Sequence, residues 1–489
     1  MRRNRLILSL SIIIFIALYF RILPLFYSFF DGGETLIVLL TLKQAIAHNF
    51  TLVPNALSGN GMGIFAENRY ILIYAIMDKF LGMLFSPLEI IYLAKILLIS
   101  ITAICVFFFV RLIANDDFAG LWGAAFYAIS PIGIWIEGFN EIRVETIVMP
   151  LLLISMLFLA YWITERKMMF LVPSILILLA DMWLWNGYLY LFGIYMFALL
   201  CGVGSYHFDR KTMISLLIGI TFIAYFLIFF IVMGNYFNLE LGNHPQLPLS
   251  LPPFNLYIMS IDITFYVVFL IPIFITLFMF VANRKKKHLN LNGFFVVLAY
   301  FIGSLPLLFF DAWWVILLYL PLSIIMGIGT SFIYGRFRLV LFVVIFICLF
   351  VSMYYSFIHI VSMKESQFYD SQAMSWLNQF TPSNSVILTS SYNGDYVEYF
   401  GDRRSLFDDA ISTNDSGFLR FLNGSQYNLS YLDAVQPSYL LINRNWDAKY
   451  GSNLALLENG WERINADNMT LSLAFSDNDS LIYSISKNP

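Results

Sequence analysis

Acidic residues interrupt an otherwise oily chain at a few places where their types and spacing could do chemistry. Asp31 and Glu34 stand in FFDGGE (29–34), directly after a long apolar segment. Glu137, Glu141 and Glu145 fall within WIEGFNEIRVETIVMP (135–150). Glu240 lies in NYFNLELGNHPQLP (235–248), and Asp311 in the short turn FFDAWW (309–314). Ionisable groups at the lip of a membrane bundle are costly when they face lipid, so they turn toward a cavity. Carboxylates converging there from separate loops form a site for a hard divalent cation, Mn²⁺ or Mg²⁺. Glu141 and Glu145 are four apart and share one face if the helix begins early. Each residue also has a plainer use. Glu34 would stabilise a helix N-terminus, Asp311 would serve a turn, and loop carboxylates in general are solvated caps.

The elements that must hold these groups follow from composition. Of 489 residues, 60% are hydrophobic and 12% charged. A soluble domain carries about 25% charged residues, so the chain is polytopic and membrane-embedded. A net charge of −3 offers nothing to nucleic acid. Cys105, Cys201 and Cys348 lie in apolar runs and act as small core residues, not as a disulfide framework or metal ligands. The N-terminal apolar run, 6–27, is too long for the roughly 7–15-residue core of a signal peptide, and it is expected to be a retained first span.

A crossing needs about 20 apolar residues, and candidate spans fall near 6–29, 88–112, 117–135, 144–163, 169–184, 187–205, 212–233, 257–283, 289–310, 312–333 and 339–360. Arg2, Arg3 and Arg5, then Arg166 and Lys167, Arg210 and Lys211, Arg284 to Lys287, and Arg336 and Arg338 all fall on one side of these about 11 crossings. By the positive-inside rule that side is cytoplasmic. The register requires that 64–86, broken by Glu67, Arg69, Asp78 and Lys79, does not cross. That stretch is expected in or along the outer interface, within an external loop over 30–87. A second external loop spans 234–256. The N-terminus is then cytoplasmic and the C-terminus external.

Beyond residue 360 the chain turns polar, with TPSNS, SYNGD and STNDSG marking turns. The expected organisation is a transmembrane domain over 1–360 and an external soluble domain of mixed α/β type over 361–489. Six N-x-S/T acceptors, at Asn49, Asn414, Asn423, Asn428, Asn468 and Asn478, all fall on the external side.

With that topology the chain resembles the catalytic subunit of oligosaccharyltransferase, in its archaeal and bacterial single-chain form, within the GT-C glycosyltransferase superfamily. FFDGGETLIVLLTLKQAI (29–46) is similar to the family's first loop, with Asp31 at its catalytic aspartate. EGFNEIRVETIVMPLLL (137–153) is similar to the second acidic motif, with Glu141 and Glu145 at its acidic positions. DMWLWNGYLYLF (181–192) resembles a Trp-Gly-Gly-Tyr-like membrane stretch, and Glu240 fits the mobile fifth loop. In AMSWLNQFTPSNSVILTSSYNGDYVEYFGDRRSLFDD (373–409) the register of the family's WWDYG acceptor-reading motif falls on Ser390, Ser391, Tyr392, Asn393 and Gly394. Only the glycine is kept. No arginine occurs near FFDAWWVILLYLPLSIIMGIG (309–329), where the family meets the lipid phosphate with a basic residue. Trp313 and Trp314 there suit an interfacial belt.

The resemblance implies a GT-C bundle and transfer of an oligosaccharide from a polyprenyl (dolichyl) phosphate or pyrophosphate donor to protein asparagine. Asp31, Glu141 and Glu240 would hold Mn²⁺ or Mg²⁺, with Glu34 and Glu145 in support. Tyr392, Asn393 and Gly394 would meet the acceptor peptide. An alternative is a GT-C transferase that moves a single sugar from a polyprenyl monophosphate to a lipid or protein hydroxyl. It needs a first-loop carboxylate and no sequon reader. A third reading is a non-catalytic scaffold or transporter, although paired broken segments in repeated halves are lacking.

Overall fold

The computed structural model describes residues 3–26, 33–47, 69–139, 142–185, 188–204, 290–304, 318–331, 371–389, 391–406, 436–443, 469–477 and 480–487. In chain order its helices are α1 (Arg3–Ile22), α2 (Gly33–Ala47), α3 (Ile71–Leu81), α4 (Pro87–Ala114), α5 (Asp117–Ala128), α6 (Pro131–Glu137), α7 (Glu145–Glu165), α8 (Met168–Leu184) and α9 (Tyr188–Gly204). There follow α10 (Leu291–Ser304), α11 (Tyr319–Thr330), α12 (Ser371–Phe380), strand β1 (Val386–Leu388), α13 (Ser391–Tyr399), β2 (Arg404–Ser405), β3 (Tyr439–Asn443), β4 (Met469–Ser476) and β5 (Ser480–Lys487). The chain divides into two compact units: 1–26, 91–139 and 143–359 form the first, and 27–90, 140–142 and 360–489 the second.

The first unit is a helical bundle. Among the described residues, three helices have the length and apolar composition to cross a membrane, at Arg3–Leu25, Pro87–Ala114 and Glu145–Glu165. Shorter apolar helices pack with them: α7 lies against α8, α9 against α10, and α5 against α1 and α11. Inside a bilayer there is little hydrophobic drive between helices, so close backbone approach and internal hydrogen bonds hold them together. Gly123 and Gly327 supply the first. A Cβ on Gly327 would come 2.7 Å from the Cα of Gly123, so α5 and α11 touch backbone to backbone. Ser155, Ser174 and Tyr195 supply the second. Each serine hydroxyl reaches the other's carbonyl, at 2.8 and 2.7 Å, and Ser174 meets the Tyr195 hydroxyl at 2.8 Å, joining α7, α8 and α9.

The expected span at 117–135 is two helices. Pro131 has no N–H to give to a continuing helix and fits the first position of a new one. Ser130, in extended conformation, caps α6 by accepting from the Gly133 N–H at 3.4 Å. The seven-residue α6 ends on Glu137, with Gly138 following.

The second unit has a five-stranded mixed sheet in the order β2-β1-β3-β5-β4. β1 runs parallel to β2 and β3, and β5 is antiparallel to β3 and β4. α12 leads through Thr381 and Pro382 into β1, as the sequence suggests. Arg403 locks that corner. Its guanidinium donates to the Thr381 hydroxyl at 2.8 Å and to the carbonyls of Asn378 and Thr381, both at 2.6 Å. α2 belongs to this unit, where it packs against both α13 and α3. It is apolar around most of its circumference and buried accordingly, through Leu36, Val38, Leu39, Leu40, Leu42 and Ala45.

Candidate active site

Two hydrogen-bonded arrangements adjoin the acidic segments in the chain, one in each unit. In the first unit, Arg21 at the end of α1 and Glu137 at the end of α6 form an ion pair with both residues 0% exposed. Arg21 Nε donates to Glu137 Oε2 at 2.5 Å. The rest of the guanidinium donates to the carbonyls of Ala17, Ala128 and Tyr127 at 3.1–3.3 Å, and it lies 4.4 Å from the centroid of the Tyr127 ring. The Tyr127 hydroxyl donates to Glu137 Oε2 at 2.8 Å, and the Tyr319 hydroxyl to Oε1 at 2.7 Å. Gly133 is required beside this pair, since a Cβ there would sit 2.8 Å from the guanidinium.

The pair continues into the backbone that leads to Glu141. The Phe139 N–H donates to the Arg21 carbonyl at 2.9 Å, and Lys95 Nζ donates to the Gly138 carbonyl at 2.6 Å. The ends of α1 and α6 are therefore bound together where each releases the chain toward an acidic segment. Glu137, with both oxygens accepting hydrogen bonds from protein donors, is spent on this clamp.

The second unit supplies the other tie. The Ile142 N–H donates to the Thr35 hydroxyl at 3.1 Å, and both residues are buried. Thr35 is four residues after Asp31, and Ile142 is one after Glu141. Four extended residues reach at most about 14 Å. The two acidic segments thus issue from one buried hydrogen bond.

Of the carboxylates singled out by sequence, Asp31, Glu141, Glu240 and Asp311 lie outside the described residues. Glu34 stands in the first turn of α2 and Glu145 opens α7, where its charge complements the helix N-terminus. Glu145 is 7% exposed. Tyr392, Asn393 and Gly394 fall on α13, with Asn393 buried. Among the described residues no three His, Cys, Asp or Glu side chains converge as a metal site.

Sequence reading grouped Glu137 with the other carboxylates and passed over Arg21, Tyr127, Tyr319 and Thr35. A signal was available: Arg21 is a cation near the end of an apolar span, where it needs a buried partner. Asp181, on α8 in the DMWLWNGY stretch, is fully buried, and among the described residues neither of its oxygens accepts a hydrogen bond.

No protein-family model and no curated protein matches the sequence. Solved structures do match in shape. Archaeal oligosaccharyltransferase AglB from Archaeoglobus fulgidus, in complex with an inhibitory peptide and a dolichol-phosphate, aligns at a TM-score of 0.64 with 13% identity, over 94% of this chain and 72% of that one. The same enzyme tethered with an acceptor peptide containing the NVT sequon gives 0.62 and 11%, over 99% and 74%. ArnT from Cupriavidus metallidurans, bound to undecaprenyl phosphate, gives 0.63 and 10%, over 99% of this chain and 98% of that one. The chain shares its fold with the archaeal oligosaccharyltransferase and with ArnT.

Proposed function

We propose that this chain is a membrane glycosyltransferase that moves an oligosaccharide from a polyprenyl phosphate or pyrophosphate donor to protein asparagine. The hydrogen bond from Ile142 to Thr35 carries the reading, because it ties the segment after Asp31 to the segment after Glu141. The fold supports it, since the archaeal oligosaccharyltransferase of like shape is found in complex with an inhibitory peptide and a dolichol-phosphate, and tethered with an acceptor peptide. Transfer takes place on the external face, where both acidic segments and the 361–489 region lie, with the N-terminus in the cytoplasm.

Asp31, Glu141 and Glu240 offer only carboxylate oxygens, the donors a hard divalent cation prefers, and they would hold Mn²⁺ or Mg²⁺. Such an ion, when bound, neutralises the leaving lipid phosphate. An acceptor amide is a poor nucleophile because its nitrogen lone pair is delocalised into the carbonyl. Asp31 and Glu141 accept the two N–H bonds of that amide and weaken the conjugation, with Glu34 and Glu145 shaping the local field. Tyr392, Asn393 and Gly394 hold the peptide. Positioning supplies the alignment that makes two bound reactants behave as one.

A second reading, transfer of a single sugar from a polyprenyl monophosphate to a hydroxyl, is favoured by one observation. The chain covers 98% of ArnT but 72% of the archaeal oligosaccharyltransferase. The variants separate the two. Under asparagine transfer, Asp31→Asn and Glu141→Gln each abolish turnover and Glu34→Gln matters less. A protein that needs Glu34 as much as Asp31 and tolerates Glu141→Gln is the single-sugar enzyme. Tolerance of all three would overturn both readings.

A further inference from the structure

Among the described residues of the first unit, the buried side chains left without a hydrogen-bond partner are Asp181, through both oxygens, and Tyr300, through its hydroxyl. On the same set of helices Ser155, Ser174 and Tyr195 satisfy one another, and Ser304 donates to the Tyr300 carbonyl at 2.8 Å. Asp181 on α8 and Tyr300 on α10 are both 0% exposed. They lie close enough that the charge of one acts on the hydroxyl of the other. Both helices pack against α7 and α9. Both also start from one end of the bundle, where the Asn290 amide donates to the Thr164 hydroxyl at 2.7 Å. At 1.5 Å per residue Asp181 stands about 20 Å along α8 and Tyr300 about 14 Å along α10, depths within a hydrocarbon core of about 30 Å. An ionisable group at such a depth marks a functional site.

We propose that Asp181 and Tyr300 form a binding site for a monovalent metal cation inside the bundle. The carboxylate supplies the charge and the tyrosine hydroxyl a further oxygen. The end of α8 supplies more. The last four carbonyls of a helix have no partner within it, and together they carry about half a negative charge. Asp181 is the first of those four residues, since α8 ends at Leu184. A carboxylate there is repelled by its own helix end, and a cation is attracted by both. Carbonyls at helix C-terminal ends coordinate Na⁺ inside membrane proteins on this principle.

The surrounding helices offer no cation of their own. α7 carries Glu145 and Glu165 at its ends, and α9 and α10 carry no charged residue. A single carboxylate balances a single positive charge, whereas sites for divalent ions gather several carboxylates. Without a cation the carboxyl takes up a proton and is neutral. This inference does not depend on which reaction the chain performs.

The test unfolds the full chain by heat in detergent micelles, in sodium, potassium or choline chloride at constant ionic strength. An ion that binds only the folded chain raises its melting temperature with concentration. Sodium or potassium should raise it by several degrees over choline and saturate. Asp181→Asn keeps the shape without the charge and should melt alike in all three salts. Tyr300→Phe should need several-fold more cation for the same rise. In choline, where the carboxyl is neutral, replacing Asp181 by an apolar residue should cost no stability. Equilibrium binding of radioactive sodium or rubidium is independent of stability. The unaltered chain should retain one of these ions until unlabelled salt displaces it, and Asp181→Asn should retain neither. Equal melting in the three salts with no ion retained would overturn the proposal and leave Asp181 a buried neutral acid. A cation effect undiminished in Asp181→Asn would also overturn it, because the ion would then bind elsewhere.

Discussion

Glu137 shows how a single carboxylate can be read three ways and still have one use. It could ligate a metal, serve as an acid or base, or close a structural pair. Its partners Arg21, Tyr127 and Tyr319 engage both oxygens, and the residue is fully buried. Removing one member of a buried ion pair leaves the other charge uncompensated and costs about 3–5 kcal/mol. Arg21→Met should therefore lower the detergent-solubilised protein's stability by that amount, measured as a shift in thermal unfolding. Tyr319→Phe removes one neutral donor and should cost about 1–3 kcal/mol. A larger loss for Tyr319→Phe than for Arg21→Met would contradict the clamp. Asp181 presents the reverse case. Replacing a buried polar group that makes no hydrogen bond by an apolar one of similar shape is nearly neutral or stabilising. Asp181→Leu should leave thermal stability unchanged or raised, and a drop of several degrees would refute this.

At the scale of elements the decisive feature is α2, which follows the first acidic segment in the chain and packs within the sheet-bearing unit. Its Thr35 accepts the Ile142 N–H, and it packs on α13. Thr35→Val leaves that buried N–H without an acceptor, at about 1–3 kcal/mol. Displacement near the reacting groups can cost on the order of 100-fold in rate, so turnover should fall by far more than stability accounts for. Thr35→Ser should restore it. Equal loss in the Ser and Val variants would show that bulk, and not the hydrogen bond, matters at this position. The Lys43–Asp402 pair, also on this face of the unit, is exposed and long at 3.4 Å. Such pairs contribute about 0–1 kcal/mol, so Lys43→Ala should be nearly silent in a thermal scan.

How much of this was legible in the sequence follows from the physics of each feature. Apolar length alone located α1, α4 and α7, because a helix that must satisfy its backbone in lipid is announced by composition. The charges of 64–86 argued against a crossing, and the described part of that stretch, 69–86, holds the 11-residue α3. Pro131 divided an expected span, a local backbone effect that an apolar count does not register. Arg21 and Tyr319 were passed over because their partner Glu137 lies 116 and 182 residues away, and Tyr127, 10 residues from it, meets it across the break at Pro131. Such pairs carry no spacing rule. α7 begins at Glu145, and Glu141, whose spacing from it suggested a shared helical face if the helix began early, lies outside the described residues.

Across the whole molecule, a fold shared over 94–99% of the chain coexists with 10–13% identity. Packing of apolar helices tolerates wide substitution as long as volume and pattern are kept, whereas a reaction needs a few groups at fixed positions. The proposed activity accordingly rests on a handful of carboxylates. The most direct test mixes the purified protein with native lipid extract, a fluorescent Asn-x-Thr peptide and Mn²⁺, and follows peptide mobility. A shift that is lost with EDTA, with Gln in place of the peptide Asn, and in the Asp31→Asn protein is the expected result. An unshifted peptide, from a protein that still passes sugar from lipid to a hydroxyl acceptor, would contradict asparagine transfer.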